Sequence, residues 1–161
     1  MAIKAFINKL NLSINNKNMN EVSPFHLAIP VDNLELCRKF YGNTLGCQEG
    51  RSSNHWVDFN FFGHQLVIHQ RPENEKVPEK VYNAVDGQQV PVPHFGVVLK
   101  WHQWEALKEK LNHQEIHFII EPYIRFKGAP GEQATMFFLD PEGNALEFKS
   151  FKQIENLFAR S

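Results

Sequence analysis

The sequence predicts an α+β fold in which two tandem βαβββ modules form a curved mixed sheet around a cavity. Three observations predict it. A strand, a helix and a closing hairpin are stated twice, the second copy beginning 68 residues after the first. Each copy ends in a hairpin turned on a glycine, Gly63 in one and Gly143 in the other. Each opening strand carries a histidine at the same phase, His26 and His94.

The elements follow in order. Phe25 to Val31 reads as a strand, and Leu34, Cys37, Phe40 and Tyr41 then mark one face of a helix from Asn33 to about Leu45, closed by Gly46. Trp56 to Phe62 and Gln65 to His69 are the hairpin strands of the first module. In the second module Pro93 to Leu99 is the opening strand, and Trp101, Trp104, Leu107 and Leu111 mark the helix face. Ala134 to Leu139, the turn Asp140 to Gly143, and Ala145 to Phe148 form its hairpin. Arg71 to Val92 is rich in Pro, Asn, Glu and Lys without an apolar period and reads as a linker or lid. The domain therefore spans residues 23–150, with halves of about 23–71 and 92–150. Residues 1–22 form an N-terminal extension, basic and free of acidic residues as far as Asn20, and residues 151–161 suggest a C-terminal helix.

Composition narrows the function. Over 161 residues, 17 Lys and Arg balance 18 Asp and Glu, so the long-range positive field of a phosphate-backbone binder is missing and nucleic acid is not an expected partner. No apolar run approaches the roughly 20 residues that span a bilayer, so no membrane partner is expected. Two cysteines are too few for a disulfide scaffold, which favours a reducing, cytoplasmic setting.

The polar residues on strands carry the chemistry. A Phe-rich strand is costly ground for an unpartnered imidazole, yet His26 and His94 sit at equivalent places on two such strands. Glu147 lies within Ala145-Leu146-Glu147-Phe148, four residues after the turn glycine, where a lone carboxylate needs a counter-ion or a metal. Two imidazoles and one carboxylate from three strands of a cavity form a 2-His-1-carboxylate set for one divalent metal per chain, with coordination positions left open. The cavity is thus predicted to be metal-binding.

With the paired modules, His26, His94 and the run Asp140-Pro141-Glu142-Gly143-Asn144-Ala145-Leu146-Glu147, the chain resembles the vicinal oxygen chelate superfamily over about residues 24–150. That superfamily includes glyoxalase I, extradiol dioxygenases, methylmalonyl-CoA epimerase, and fosfomycin and bleomycin resistance proteins. The resemblance implies that His26, His94 and Glu147 are the metal ligands.

Departures from the superfamily patterns guide the choice of reaction. Glyoxalase I and the epimerase add a fourth protein ligand in the first hairpin. Four residues after Gly63 the chain has Val67, and His69 lies two residues further on the same face, where it could act as acid or base. A glutathione-type glyoxalase commonly carries Arg shortly after the first ligand, where this chain has Pro30. Extradiol dioxygenases commonly place Tyr ten residues before the Glu ligand, and here that residue is Phe137. The open triad favours an Fe(II) dioxygenase-like enzyme on a small substrate that chelates the metal through two neighbouring oxygens. The alternatives are a glyoxalase I-like lyase or epimerase using Ni, Zn or Mn, and a bleomycin-resistance-type binding protein. Arg125, Gln133, Thr135 and Phe137 are the candidate substrate-binding residues, and a homodimer is compatible with this reading.

Overall fold

A computed structural model describes residues 22–75 and 79–159 of the chain. The N-terminal extension, apart from Val22, lies outside the described residues.

The first module runs β1 (His26–Val31), α1 (Leu34–Lys39), β2 (Gln48–Ser52), β3 (Trp56–Phe61) and β4 (His64–Gln70), and its sheet has the order β1-β4-β3-β2. β1 pairs with β4 in parallel, and the other pairs are antiparallel. Along β1, Ile29 and Val31 are buried while His26, Ala28 and Pro30 are exposed, the period-2 alternation of a strand packed on one face. Asn33 caps α1 by accepting from the Leu36 N–H. The helix continues into a π-helical turn, Phe40–Thr44, closed by the Leu45 N–H on the Phe40 carbonyl. The wider turn lets the adjacent residues Phe40 and Tyr41 both bury their rings.

The second module repeats the plan with α2 (Trp101–Asn112), β7 (Phe118–Arg125), β8 (Gln133–Leu139) and β9 (Ala145–Phe151), in sheet order β7-β8-β9. Its opening segment joins β9 through isolated parallel bridges, Phe95 to Leu146 and Val98 to Lys149. Trp104, Leu107 and Leu111 bury the predicted face of α2, and the Trp104 indole donates to the Phe148 carbonyl. A short 3-10 helix, Ile154–Phe158, follows β9 within the segment read as a C-terminal helix.

The segment read as a linker or lid folds as a hairpin, β5 (Val81–Val85) and β6 (Gln88–Val92). Its turn is Asp86-Gly87, both with positive φ, the pair that two-residue hairpins require. Val90 is buried in a small cluster with Ile120, Phe137 and Ala145, so the hairpin lies over the outer face of the second sheet.

The inner faces of the two sheets share one apolar core. Ile29, Val31, Phe61, Leu66 and Ile68 of the first module pack with Trp104, Met136, Phe138, Leu146 and Phe148 of the second. Across it the Tyr41 hydroxyl donates to Asp140, and the Glu142 carboxylate accepts from the N–H groups of Asp32 and Asn33. Burial holds the Asp140 carboxyl above the ordinary carboxylate range, although four donors pull it the other way. The module plan is therefore the expected α+β one, with the two sheets placed on either side of a common core.

Among the described residues no helix is long and apolar enough to cross a membrane.

Candidate functional site

The registers of the two modules confirm which residues correspond. Leu27 pairs with Leu66 and Phe95 pairs with Leu146, both in parallel, so His26 and His94 each precede an equivalent bridge. Val67 then stands where Glu147 stands.

His94 and Glu147 meet on the outer face of the second sheet. The His94 Nδ1–H donates to the Pro91 carbonyl at 2.9 Å, which turns Nε2 toward Glu147 Oε2, 3.4 Å away. An imidazole nitrogen and a carboxylate oxygen are both divalent-metal donors, and at 3.4 Å the two are close enough to share one ion. Phe137 packs edge-on against the imidazole with ring centroids 4.9 Å apart, and it pairs directly with Glu147 across the strands. The other carboxylate oxygen, Oε1, accepts from Thr135 Oγ1 at 3.1 Å and forms an ion pair with Lys149 Nζ at 3.2 Å.

Close backbone approach sets this geometry. The Glu147 N–H donates to the Phe95 carbonyl and the Lys149 N–H to the Val97 carbonyl. Between them sits Gly96, whose Cβ, if it had one, would fall 1.7 Å from the Glu147 carbonyl oxygen. Only glycine lets the segment that bears His94 lie against the strand that bears Glu147.

His26 is not part of this group. Its Nδ1–H donates to Gln65 Oε1 at 2.7 Å, and Gln65 Nε2 in turn donates to Asp58, which also holds Arg51. The imidazole is thereby oriented with Nε2 free, but on the outer face of the first sheet. Ala28 and Pro30, which share the outer face with His26, line with His94 a cavity of about 350 Å³, but His26 itself is not among its lining residues. Among the described residues no three His, Cys, Asp or Glu side chains come together as a metal-holding group. The cleft lined by His94, Val98, Glu147 and Lys149 has a volume of about 200 Å³, below the usual range for a ligand pocket.

The remaining candidates are scattered. His69 shares the outer face with His26 but lies four residues beyond Gln65 along β4, about 13 Å of strand. The Arg125 guanidinium is engaged by Asp86 at 2.9 Å, and the Tyr123 hydroxyl donates to the same carboxylate, so the tip of the β5–β6 hairpin is fastened to β7. Burial and that carboxylate raise the Tyr123 phenol above its usual range. Gln133 occupies the end of β8, two pleats from Phe137, while Thr135 reaches the Glu147 carboxylate directly. Lys149 was not singled out from the sequence, although the strand period puts residue i+2 on the same face as Glu147.

Comparison with known proteins places the architecture. The family model described as glyoxalase/bleomycin resistance protein/dioxygenase superfamily matches residues 23–148. A glyoxalase/bleomycin resistance protein/dioxygenase from Alicyclobacillus acidocaldarius is 29% identical, with a TM-score of 0.69 over 88% of this chain and 100% of that one. A genomically encoded fosfomycin resistance protein from Listeria monocytogenes is 16% identical, with a TM-score of 0.56 over 86% of this chain and 98% of its own. A lactoylglutathione lyase from Agrobacterium tumefaciens is 15% identical, with a TM-score of 0.56 over 88% and 99%. The last two likenesses are of fold alone. No curated protein matches in sequence.

Proposed function

Since the chain belongs to the glyoxalase/bleomycin resistance protein/dioxygenase superfamily, we propose that it is a metal-dependent enzyme, dioxygenase-like, with Fe(II) as the favoured metal. The observation that carries this reading is the pairing of His94 Nε2 and Glu147 Oε2 at 3.4 Å, with the distal ring nitrogen already tied to a backbone carbonyl. His26, presented with its own Nε2 free, is the third ligand. Since His26 does not join His94 and Glu147 among the described residues of one chain, a second copy supplies it: His26 of one chain completes the His94 and Glu147 of the other. The protein is then a homodimer with two equivalent shared sites, a closed isologous arrangement.

The bound metal would polarise a substrate that chelates it through two neighbouring oxygens and, as Fe(II), would carry the redox chemistry with dioxygen. The chain's own residues have narrower tasks. His94, Glu147 and His26 hold three positions, and Val67, apolar at the place equivalent to Glu147, leaves the others open for substrate. Phe137 gives the substrate an apolar wall and no hydroxyl. Thr135 fixes one oxygen of Glu147 so that the other faces the ligands. A proton-transfer role for His69 requires a substrate that reaches two pleats along β4 from His26. The buried, unpaired cysteines Cys37 and Cys47 support a reducing compartment such as the cytoplasm.

Gln65→Leu should weaken divalent-metal binding by about tenfold or more, because the His26 ring loses the acceptor that fixes its tautomer and orientation. A metal titration of the variant beside the wild type measures it, with thermal unfolding as the control for folding. The reaction class is tested by oxygen uptake of the Fe(II)-loaded protein on a panel of vicinal diols, catechols, hydroxy-ketones, and α-hydroxy and α-oxo carboxylates. The reading expects uptake on at least one of them. Anaerobic turnover with Ni(II) or Zn(II), without oxygen uptake on any substrate, would assign the protein instead to lyase or isomerase chemistry.

A further inference from the structure

Resting on the metal reading, we propose that Lys149 binds an anionic group of the substrate, and that the substrate is a small α-hydroxy or α-oxo carboxylate and not a neutral diol.

The argument begins with the two oxygens of Glu147. Oε2 faces the His94 nitrogen, while Oε1 is held by Thr135 and by the Lys149 ammonium. Lys149 is fixed in place from the backbone outward. Its N–H donates to the Val97 carbonyl and its own carbonyl accepts from the Leu99 N–H, so the residue sits in the middle of a ladder with its side chain on the ligand face. Opposite it on β8 is Thr135, and opposite that on β7 is Tyr123, giving a row of three donors across the sheet. Tyr123 is committed to Asp86, so the Lys149 ammonium is the cationic donor of the row nearest the ligand carboxylate.

A lysine in that position opposes the metal. Once Glu147 gives its charge to a divalent ion, the ammonium keeps only a shared partner and faces a second cation across one carboxylate. A residue that merely balanced Glu147 would be a hindrance in the loaded site. An incoming anion reverses the balance, because it neutralises the metal and the ammonium together. An α-hydroxy or α-oxo carboxylate suits the layout: its two neighbouring oxygens chelate, and the outer carboxylate oxygen takes a charge-assisted hydrogen bond from Lys149. A catechol or ketone has no such oxygen. Metal and anion therefore bind with positive coupling, each raising the affinity of the other.

The test uses the full-length protein loaded with Mn(II), and lactate and lactamide as probes, which offer the same pair of neighbouring oxygens with and without the negative charge. Calorimetric titration of the wild type should show lactate preferred over lactamide. Lys149→Gln should reduce that preference by about tenfold, the size of one charge-assisted hydrogen bond, while Mn(II) itself binds as tightly or more tightly. Lys149→Arg should keep most of the preference. An unchanged lactate-to-lactamide ratio in Lys149→Gln, with Mn(II) retained, overturns the inference and leaves the metal reading intact. Failure of the wild type to retain Mn(II), or retention by His94→Ala undiminished, overturns the metal reading and this inference with it.

Discussion

Glu147→Ala should lose the divalent metal, with affinity falling by about a hundredfold or more from a wild-type stoichiometry of one ion per chain. The carboxylate is the only charged ligand of the proposed set, and a water entering the space its side chain leaves would bring no negative charge to the ion. The substitution also leaves Thr135 without its acceptor and Lys149 without its counter-ion. His94→Ala should cost a similar factor by removing the Nε2 lone pair while leaving Glu147 held. His26→Ala should match them, although its ring lies on the other sheet. Elemental analysis after anaerobic Fe(II) loading and gel filtration reads all three. Glu147→Gln separates charge from shape, since it keeps the Thr135 contact and should still lose the metal.

Gly96→Ala should produce the largest loss of stability of any Gly→Ala substitution among the described glycines. A Cβ at this position would sit 1.7 Å from the Glu147 carbonyl oxygen, and that atom belongs to a strand paired on both sides, so it cannot step aside as a flexible side chain would. Either the segment from Phe95 to Val98 lifts off β9, losing its parallel ladder, or β9 shifts against β8. Overpacking of this kind costs about 3 kcal/mol or more, which in a domain of this size is about 10 °C in Tm. The metal site should suffer with it, because His94 and Glu147 are brought together by the ladder that Gly96 permits. Gly63→Ala is the control: an added Cβ there meets nothing within 4 Å, and only the positive φ opposes it. Thermal unfolding of the two variants compares them directly. Equal shifts in Tm would mean that contact at Gly96 is relieved by a small local movement.

How much of this was legible in the sequence depends on the kind of signal. The helix faces and hairpins are readable because burial imposes a pattern: Trp104, Leu107 and Leu111 are buried as their spacing requires, β9 alternates from Leu146 onward, and Leu66–Ile68 and Ala134–Phe138 are largely apolar runs buried on both faces. The equivalence of His26 with His94, and of Val67 with Glu147, was readable because a repeat carries its register along the chain. The β5–β6 hairpin reads in the sequence as a linker or lid. Its signal was Asp86-Gly87, and Asn83, Gln88 and Gln89 diluted the apolar pattern around it. Arg125 as a candidate for substrate shows the cost of that omission, since the hairpin brings Asp86 to it. Sequence equivalence also says nothing about which faces of two sheets pack together. That is why three residues that look like one triad in the sequence are divided between two outer faces in the fold.

That division supports the central claim, that each metal centre is shared between two copies of the chain. The direct measurement is complementation. His26→Ala and Glu147→Ala chains, differently tagged, are co-expressed, and the mixed dimer is isolated through both tags and assayed for bound metal. In a shared arrangement one of its two sites draws His26 from the Glu147→Ala chain and His94 and Glu147 from the His26→Ala chain, so it is intact. The account predicts one tightly bound divalent ion per mixed dimer, with none in either parent. A mixed dimer as empty as its parents, while the wild-type dimer holds two ions, would show that each site is built within one chain and would contradict the account.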